Sequence, residues 1–136
     1  MIDEIRTYIA TCPYLDEYTA INVDYLEDKI KSYSINETAS YNPIIEEFIT
    51  GGKNCKFMFS FDSKLHWNSE TTNNIDNSKF FEDFKTWLET NNLKGTLPNI
   101  SGAYKISALT DGYVYATNSD EAIYRIQCEL DYYKEN

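Results

Sequence analysis

His66 is the only histidine in the 136-residue chain, which excludes a multi-histidine metal site and leaves a single candidate general base. Asp62 precedes it by four residues, but in a loop that spacing fixes no geometry, and no nucleophile is tied to the imidazole. A solvated histidine is therefore favoured over a proton-transfer role. Cys12, Cys55 and Cys128 lack the paired ligand spacing of a zinc site. Being odd in number and far apart, they suit reduced thiols better than a disulfide framework, and Cys55 and Cys128 fall on inward faces of expected strands, where a cysteine acts as a small hydrophobe. Gly51-Gly52 is followed by neither a helix nor the Lys-Ser/Thr of a phosphate loop and reads as a turn. The acidic pairs Asp16-Glu17, Glu46-Glu47 and Asp120-Glu121 are not spaced as a calcium loop or set in an apolar pocket like glycosidase acids, so they read as surface charge. These residue types assign no catalytic, cofactor-binding or metal site, and the chain is expected to be non-enzymatic and free of cofactors.

Tyrosine is the unusual component. Twelve tyrosines exceed what one small core needs. Tyr14, Tyr18, Tyr113, Tyr115 and Tyr133 fall outside the stripes assigned to the core. Tyrosine is enriched at protein interfaces, where it supplies contact area at low entropic cost. AT-rich coding bias, which raises Tyr, Asn, Lys and Ile together, explains the same excess equally well. Together with His66 and Trp67, which lie in a polar stretch over 62–77, the five tyrosines form the candidate oligomer interface.

Composition bounds the class. A chain of this length makes one domain, here residues 1–136, and buries about two-thirds of its unfolded surface. With 42% hydrophobic residues, five glycines and three prolines, it is too rich in core formers to be disordered. Apolar runs of a few residues fall short of the roughly twenty that span a membrane. The opening MIDEIRTYIA carries acids where a secretory signal has a basic flank, so a cytoplasmic protein is expected. A net charge of −10 is the wrong sign for gripping a phosphate backbone, and tight nucleic-acid binding is not expected.

The elements follow from periodicity. Phe80, Phe81, Phe84, Trp87 and Leu88 recur at helical spacing and predict an amphipathic helix over 79–89, with Glu82, Asp83, Lys85 and Glu89 on its other face. One of Asp76, Asn77 and Ser78 caps it, and Gly95 and Pro98 close it. Ile2, Ile5, Tyr8 and Ile9 mark a short N-terminal helix that stops by Pro13. Alternation predicts strands over 19–26 (Ile21, Val23 and Tyr25 together) and 31–37 (Tyr33 and Ile35 together). Residues 43–49 and 55–61 read as two strands about the 50–52 turn, or the first as a helical turn. The stretch 62–77 lacks either period and reads as a long loop, the first place to seek a partner. Tyr104, Ile106 and Ala108 share a strand face, Asp111-Gly112 signals a two-residue hairpin into Tyr113-Val114-Tyr115, and 122–133 alternates most cleanly of all, with Tyr124, Ile126, Cys128, Leu130 and Tyr132 inward. The expected fold is α+β: a mostly antiparallel mixed sheet with the central amphipathic helix and the short N-terminal helix packed on one face.

The order and spacing of these pieces carry a resemblance. Asn42-Pro43-Ile44-Ile45 leading to Phe48-Ile49-Thr50-Gly51-Gly52, Phe57-Met58-Phe59-Ser60-Phe61, residues 77–87, Leu97-Pro98, Ala122-Ile123-Tyr124-Arg125-Ile126-Gln127 and Asp131-Tyr132-Tyr133 resemble a family of small tail terminator or minor capsid proteins. That family comes from tailed phages and prophages of low-GC Gram-positive bacteria. About two-thirds of the chain, 41–133, is covered. The resemblance implies a viral structural protein: a terminator subunit whose copies close into a ring, a hexamer, that caps the tail tube and joins it to the head or neck. The implied partners are other copies of the chain, the tube protein, the sheath where one exists, and the connector. It implies a place in a virion or phage-tail-like particle assembled in the host cytoplasm. A different neck, tail-completion or minor capsid subunit, or a small prophage protein of unrelated function, is the alternative.

Overall fold

Two long strands form the spine of the molecule. β4 (Lys53–His66) and β7 (Glu121–Lys134) pair antiparallel along their whole length, Lys53 opposite Lys134 and His66 opposite Glu121. The computed structural model describes residues 1–15, 21–24, 26, 32–39, 43–66, 71–117 and 121–135, apart from the side chains of 66 and 71–76. The described residues also form α1 (Ile2–Ile9), β1 (Ile21–Val23), β2 (Ser32–Glu37), β3 (Ile44–Glu47), α2 (Thr71–Lys94), β5 (Ala103–Ala108) and β6 (Tyr113–Thr117).

The spine is flanked by short strands laid end to end. On the outer side of β4, β2 pairs with residues 59–64 and β3 with 53–55; on the outer side of β7, β5 pairs with 128–132 and β6 with 122–125. All four pairings are antiparallel. Only β1, laid parallel on β2, departs from that pattern. The fold is the expected α+β arrangement, a mixed, mostly antiparallel sheet with a long and a short helix.

Alternation along the spine decides the core. Phe59, Phe61, Ile126, Cys128 and Leu130 turn to one face and are fully buried, beneath Phe81, Phe84 and Leu88 of α2 and Ile5 and Ile9 of α1. Phe84 stacks on Phe61 with ring centroids 4.8 Å apart, and Phe81 on Tyr124 at 5.7 Å. Trp87, half-buried, meets Tyr8 of α1 at 5.2 Å. The hydroxyl of Tyr8 donates to the Thr96 carbonyl (2.9 Å) and accepts from Asn91 Nδ2 (2.9 Å), tying α1 to the end of α2. Burial raises the pKa of that phenol.

Several expectations are corrected. The loop expected over 62–77 is corrected where the structure describes it: 62–66 complete β4, and 71–77 are the first two turns of α2, while 67–70 lie outside the described residues. The helix thus runs well beyond 79–89 in both directions, because its polar ends follow the helical path that the central stripe anchors. Asp76, Asn77 and Ser78 are consequently not caps, and Asn77 is instead buried with its Nδ2 donating to the Tyr124 hydroxyl at 3.4 Å. At the other end Gly95, at φ +73°, closes the helix as expected. Thr96 N–H bonds the Asn91 carbonyl and Gly95 N–H the Asn92 carbonyl, the paired bonds of a left-handed C-cap.

The Asp111-Gly112 hairpin does not form either. β5 and β6 never pair with one another; both lie on β7 in the same direction, and 109–112 is an excursion between them. A fourteen-residue β7 offers enough edge for both strands, so the chain has no need to reverse. Gly112 is required for a different reason: a Cβ there would collide with the Phe81 ring. In β5 a bulge between Ala103 and Lys105 throws Tyr104 out of the Ile106 stripe and leaves it exposed. β1 is shorter than 19–26 because Asp24 takes a left-handed conformation at φ 56°, and Val23 at the sheet margin is exposed. Tyr25 lies outside the described residues.

Candidate functional site

The face of the spine turned away from the helices carries mostly polar side chains, interrupted by Met58 and Ile123. Asp62 on β4 stands directly opposite Arg125 on β7. The guanidinium donates twice to the carboxylate, Nε to Oδ1 and Nη2 to Oδ2, both at 2.9 Å. Asn36 Nδ2 adds a third donor to Asp62 at 2.7 Å and reaches Ser60 Oγ at 3.2 Å, while Ser34 Oγ donates to Asn36 Oδ1 at 2.9 Å. The carboxylate is thereby satisfied in a nearly water-free position, and its hydrogen bonds raise the pKa of Arg125 further above its usual value. The exposed side of the guanidinium lies over the Tyr115 ring, 3.7 Å from its centroid. Beside it, Gln127 Nε2 donates to the Tyr113 hydroxyl at 3.0 Å. Asp62 is therefore a structural ion-pair partner inside a strand, and its expected place in a loop beside His66 is corrected.

Of the candidate interface residues, Tyr113 and Tyr115 come together on β6, Tyr115 exposed and Tyr113 partly so. Tyr133 sits at the opposite end of the spine, exposed, with the Phe48 ring 6.2 Å away. Tyr14 is exposed just beyond α1. Tyr18 and Trp67 lie outside the described residues, and so does the side chain of His66, whose backbone ends β4.

Sequence reasoning missed the apolar residues at the sheet edges. Ile45, Phe48 and Ile49, on β3 and the turn after it, are exposed, Ile49 completely. Val114 and Tyr115 on β6, with Leu109 just after β5, are exposed on the other side, and Tyr104 of β5 is exposed at the Lys134 end of that side. β3 flanks β4 at its Lys53 end, and β6 flanks β7 at its Glu121 end, so the two patches occupy diagonally opposite corners of the sheet. The runs Ile44–Ile49 and Tyr113–Tyr115 could have signalled this, since neither alternates cleanly enough to bury one face.

The free edge of β5 is capped at Ile106. Asn92 of α2 accepts from the Ile106 N–H (2.8 Å) through Oδ1 and donates to the Ile106 carbonyl through Nδ2, occupying the outward backbone groups at the middle of the strand.

The three cysteines are free thiols and all are buried. Burial pushes Cys12 up to about 11 and raises Cys128 further. Among the described residues no group of three or more His, Cys, Asp and Glu could hold a metal ion, and no helix is long and apolar enough to cross a membrane. A cleft of about 650 Å³ opens where β2 ends and β3 begins; Glu37, Lys56, Phe57 and Tyr132 are among its lining residues. No protein-family model matches this chain, and no curated protein matches it in sequence.

Proposed function

We propose that this chain is a structural subunit of a phage tail or phage-tail-like particle, a tail terminator whose copies close into a ring on the end of the tail tube. The proposal rests on the resemblance of 41–133 and on one feature of the fold: two unlike exposed apolar patches at opposite corners of one sheet. A ring requires a heterologous contact, in which one patch meets a different patch on the next copy. The Ile45-Phe48-Ile49 corner and the Val114-Tyr115 corner supply such a pair, and the closure of β5 by Asn92 directs pairing toward β6. The Asp62–Arg125 network holds Tyr115 in place from behind. Within the ring, a chain of net charge −10 offers passing DNA no phosphate grip.

Mass photometry of the purified chain, alone and with assembled tail tubes, tests this reading. A closed oligomer, a hexamer by expectation, that forms alone or on the tube ends supports it. Failure to decorate tube ends at micromolar concentration overturns it.

A further inference from the structure

Asp131 of β7 is 8% exposed, and its Oδ1 is shut off from solvent without a hydrogen-bond partner among the described residues. Such an atom demands an explanation, because an ionised carboxylate left unsatisfied away from water is among the costliest groups a fold can hold. Two residues back on β7, Glu129 stands on the same face of the strand as Asp131. Across the ladder Asp131 is in register with Lys56 of β4 on one side and Lys105 of β5 on the other. Tyr104, thrown outward by the β5 bulge, lies within electrostatic reach of Asp131, Glu129 and Glu46, and its own phenol is raised, first by burial and then by these acids. Neither lysine makes an ion pair with Asp131, so a second carboxylate on the same face leaves the buried group best held as a protonated acid.

We infer that Asp131 is held as a protonated acid beside Glu129 and that its ionisation loosens the edge strand β5, making the docking of that strand sensitive to pH around neutrality. With the proton in place, the pair carries one negative charge between two lysines. When the proton leaves to water, a second negative charge appears at a buried atom beside the first. β5 is the neighbour able to yield. It is a six-residue strand already broken by a bulge opposite this pair, whereas β4 is fixed along fourteen residues. Burial, followed by the neighbouring Glu129, raises the Asp131 carboxyl to about 7, against the opposing pull of Lys105 and Lys56. Catalysis is not implied, and the inference stands whether or not the ring reading holds.

Two measurements on the full chain test it. Carboxyl-carbon NMR titration of the wild type is expected to show Asp131 titrating between pH 6 and 8; an Asp131 midpoint below 5 overturns the inference. Amide hydrogen exchange, corrected for its intrinsic pH dependence, is expected to show protection of 103–108 falling at least fivefold between pH 5.5 and 8.5, with no comparable change in β2. In Asp131→Asn, which keeps the shape and removes the titration, that fall should vanish. An unchanged fall in the variant, or equal changes in β2 and β5, overturns it. Should Asp131→Asn fold poorly, Glu129→Gln provides the second variant: it should lower the Asp131 midpoint by at least one pH unit, and an unmoved midpoint counts against the pair.

Discussion

Phe84 meets Phe61, Trp87 and the β4 face at once, so truncating it opens a cavity that neither a rigid sheet nor a long helix can collapse into. Phe84→Ala is expected to lower unfolding free energy by about 3–5 kcal/mol in urea titration, against less than about 0.5 kcal/mol for the exposed Leu93→Ala on the same helix. Asp62 and Arg125 differ in exposure, and the consequences of removing each should differ too. Asp62→Asn costs the charge-assisted bonds of a buried acceptor, about 1.5–3 kcal/mol, and a double-mutant cycle with Arg125→Met should return a coupling of about 0.5–3 kcal/mol. A coupling near zero would mean the two side chains contribute independently. For Asp131, the folded-state value of about 7 lies above the ordinary 3.8, so between those limits the folded protein holds more protons than the unfolded chain. Stability through this group is therefore greatest at acid pH and declines as pH rises to about 7. Asp131→Asn should accordingly gain in urea midpoint relative to wild type as the comparison moves from pH 5.5 to 8.

At the scale of elements, α2 is held by its middle and closed at its end. Gly95 has open space around its Cβ position, so Gly95→Ala tests conformation alone and should cost about 1–2 kcal/mol for the left-handed backbone. Gly112→Ala fails for the opposite reason, a collision with Phe81, and should destabilise the protein although its backbone has no positive φ. Asn92 joins helix to sheet edge. Asn92→Ala is expected to expose the outward groups of Ile106, speed amide exchange at β5, and make the chain more prone to self-association through that edge, seen as a higher apparent mass in sedimentation.

For the whole molecule, the prediction is that oligomerisation depends on two separated corners. Ile49→Asp and Val114→Asp should each reduce ring formation at least tenfold while leaving the thermal midpoint within a few degrees, because both residues are exposed. Mixing the two variants should give a dimer and no larger closed species, since each retains one intact corner; restored full rings on mixing would refute the head-to-tail arrangement. The same surface carries a net charge of −10, and electrophoretic retardation of DNA should be absent at 50 mM and at 200 mM salt alike.

Period-two alternation in 55–61 and 122–133 and the Phe80-to-Leu88 stripe were sufficient to set the fold class, the inward faces of the spine and the burial of Cys55 and Cys128, because which side a residue takes is a local property of a strand or helix. Tyr115 and Tyr133 were legible as residues left over from the core for the same reason. Pairing between strands is not local. Asp62 and Arg125 are 63 residues apart, and only the register of β4 on β7 makes them partners; likewise, only the length of β7 lets β5 and β6 share one edge and cancels the hairpin that Asp111-Gly112 spells. The first turns of α2, lacking a stripe of their own, follow a path that the rest of the helix anchors. The buried carboxyl of Asp131 and the two exposed corners likewise belong to tertiary structure, since burial of a polar group and exposure of an apolar one are both set by what lies across the sheet.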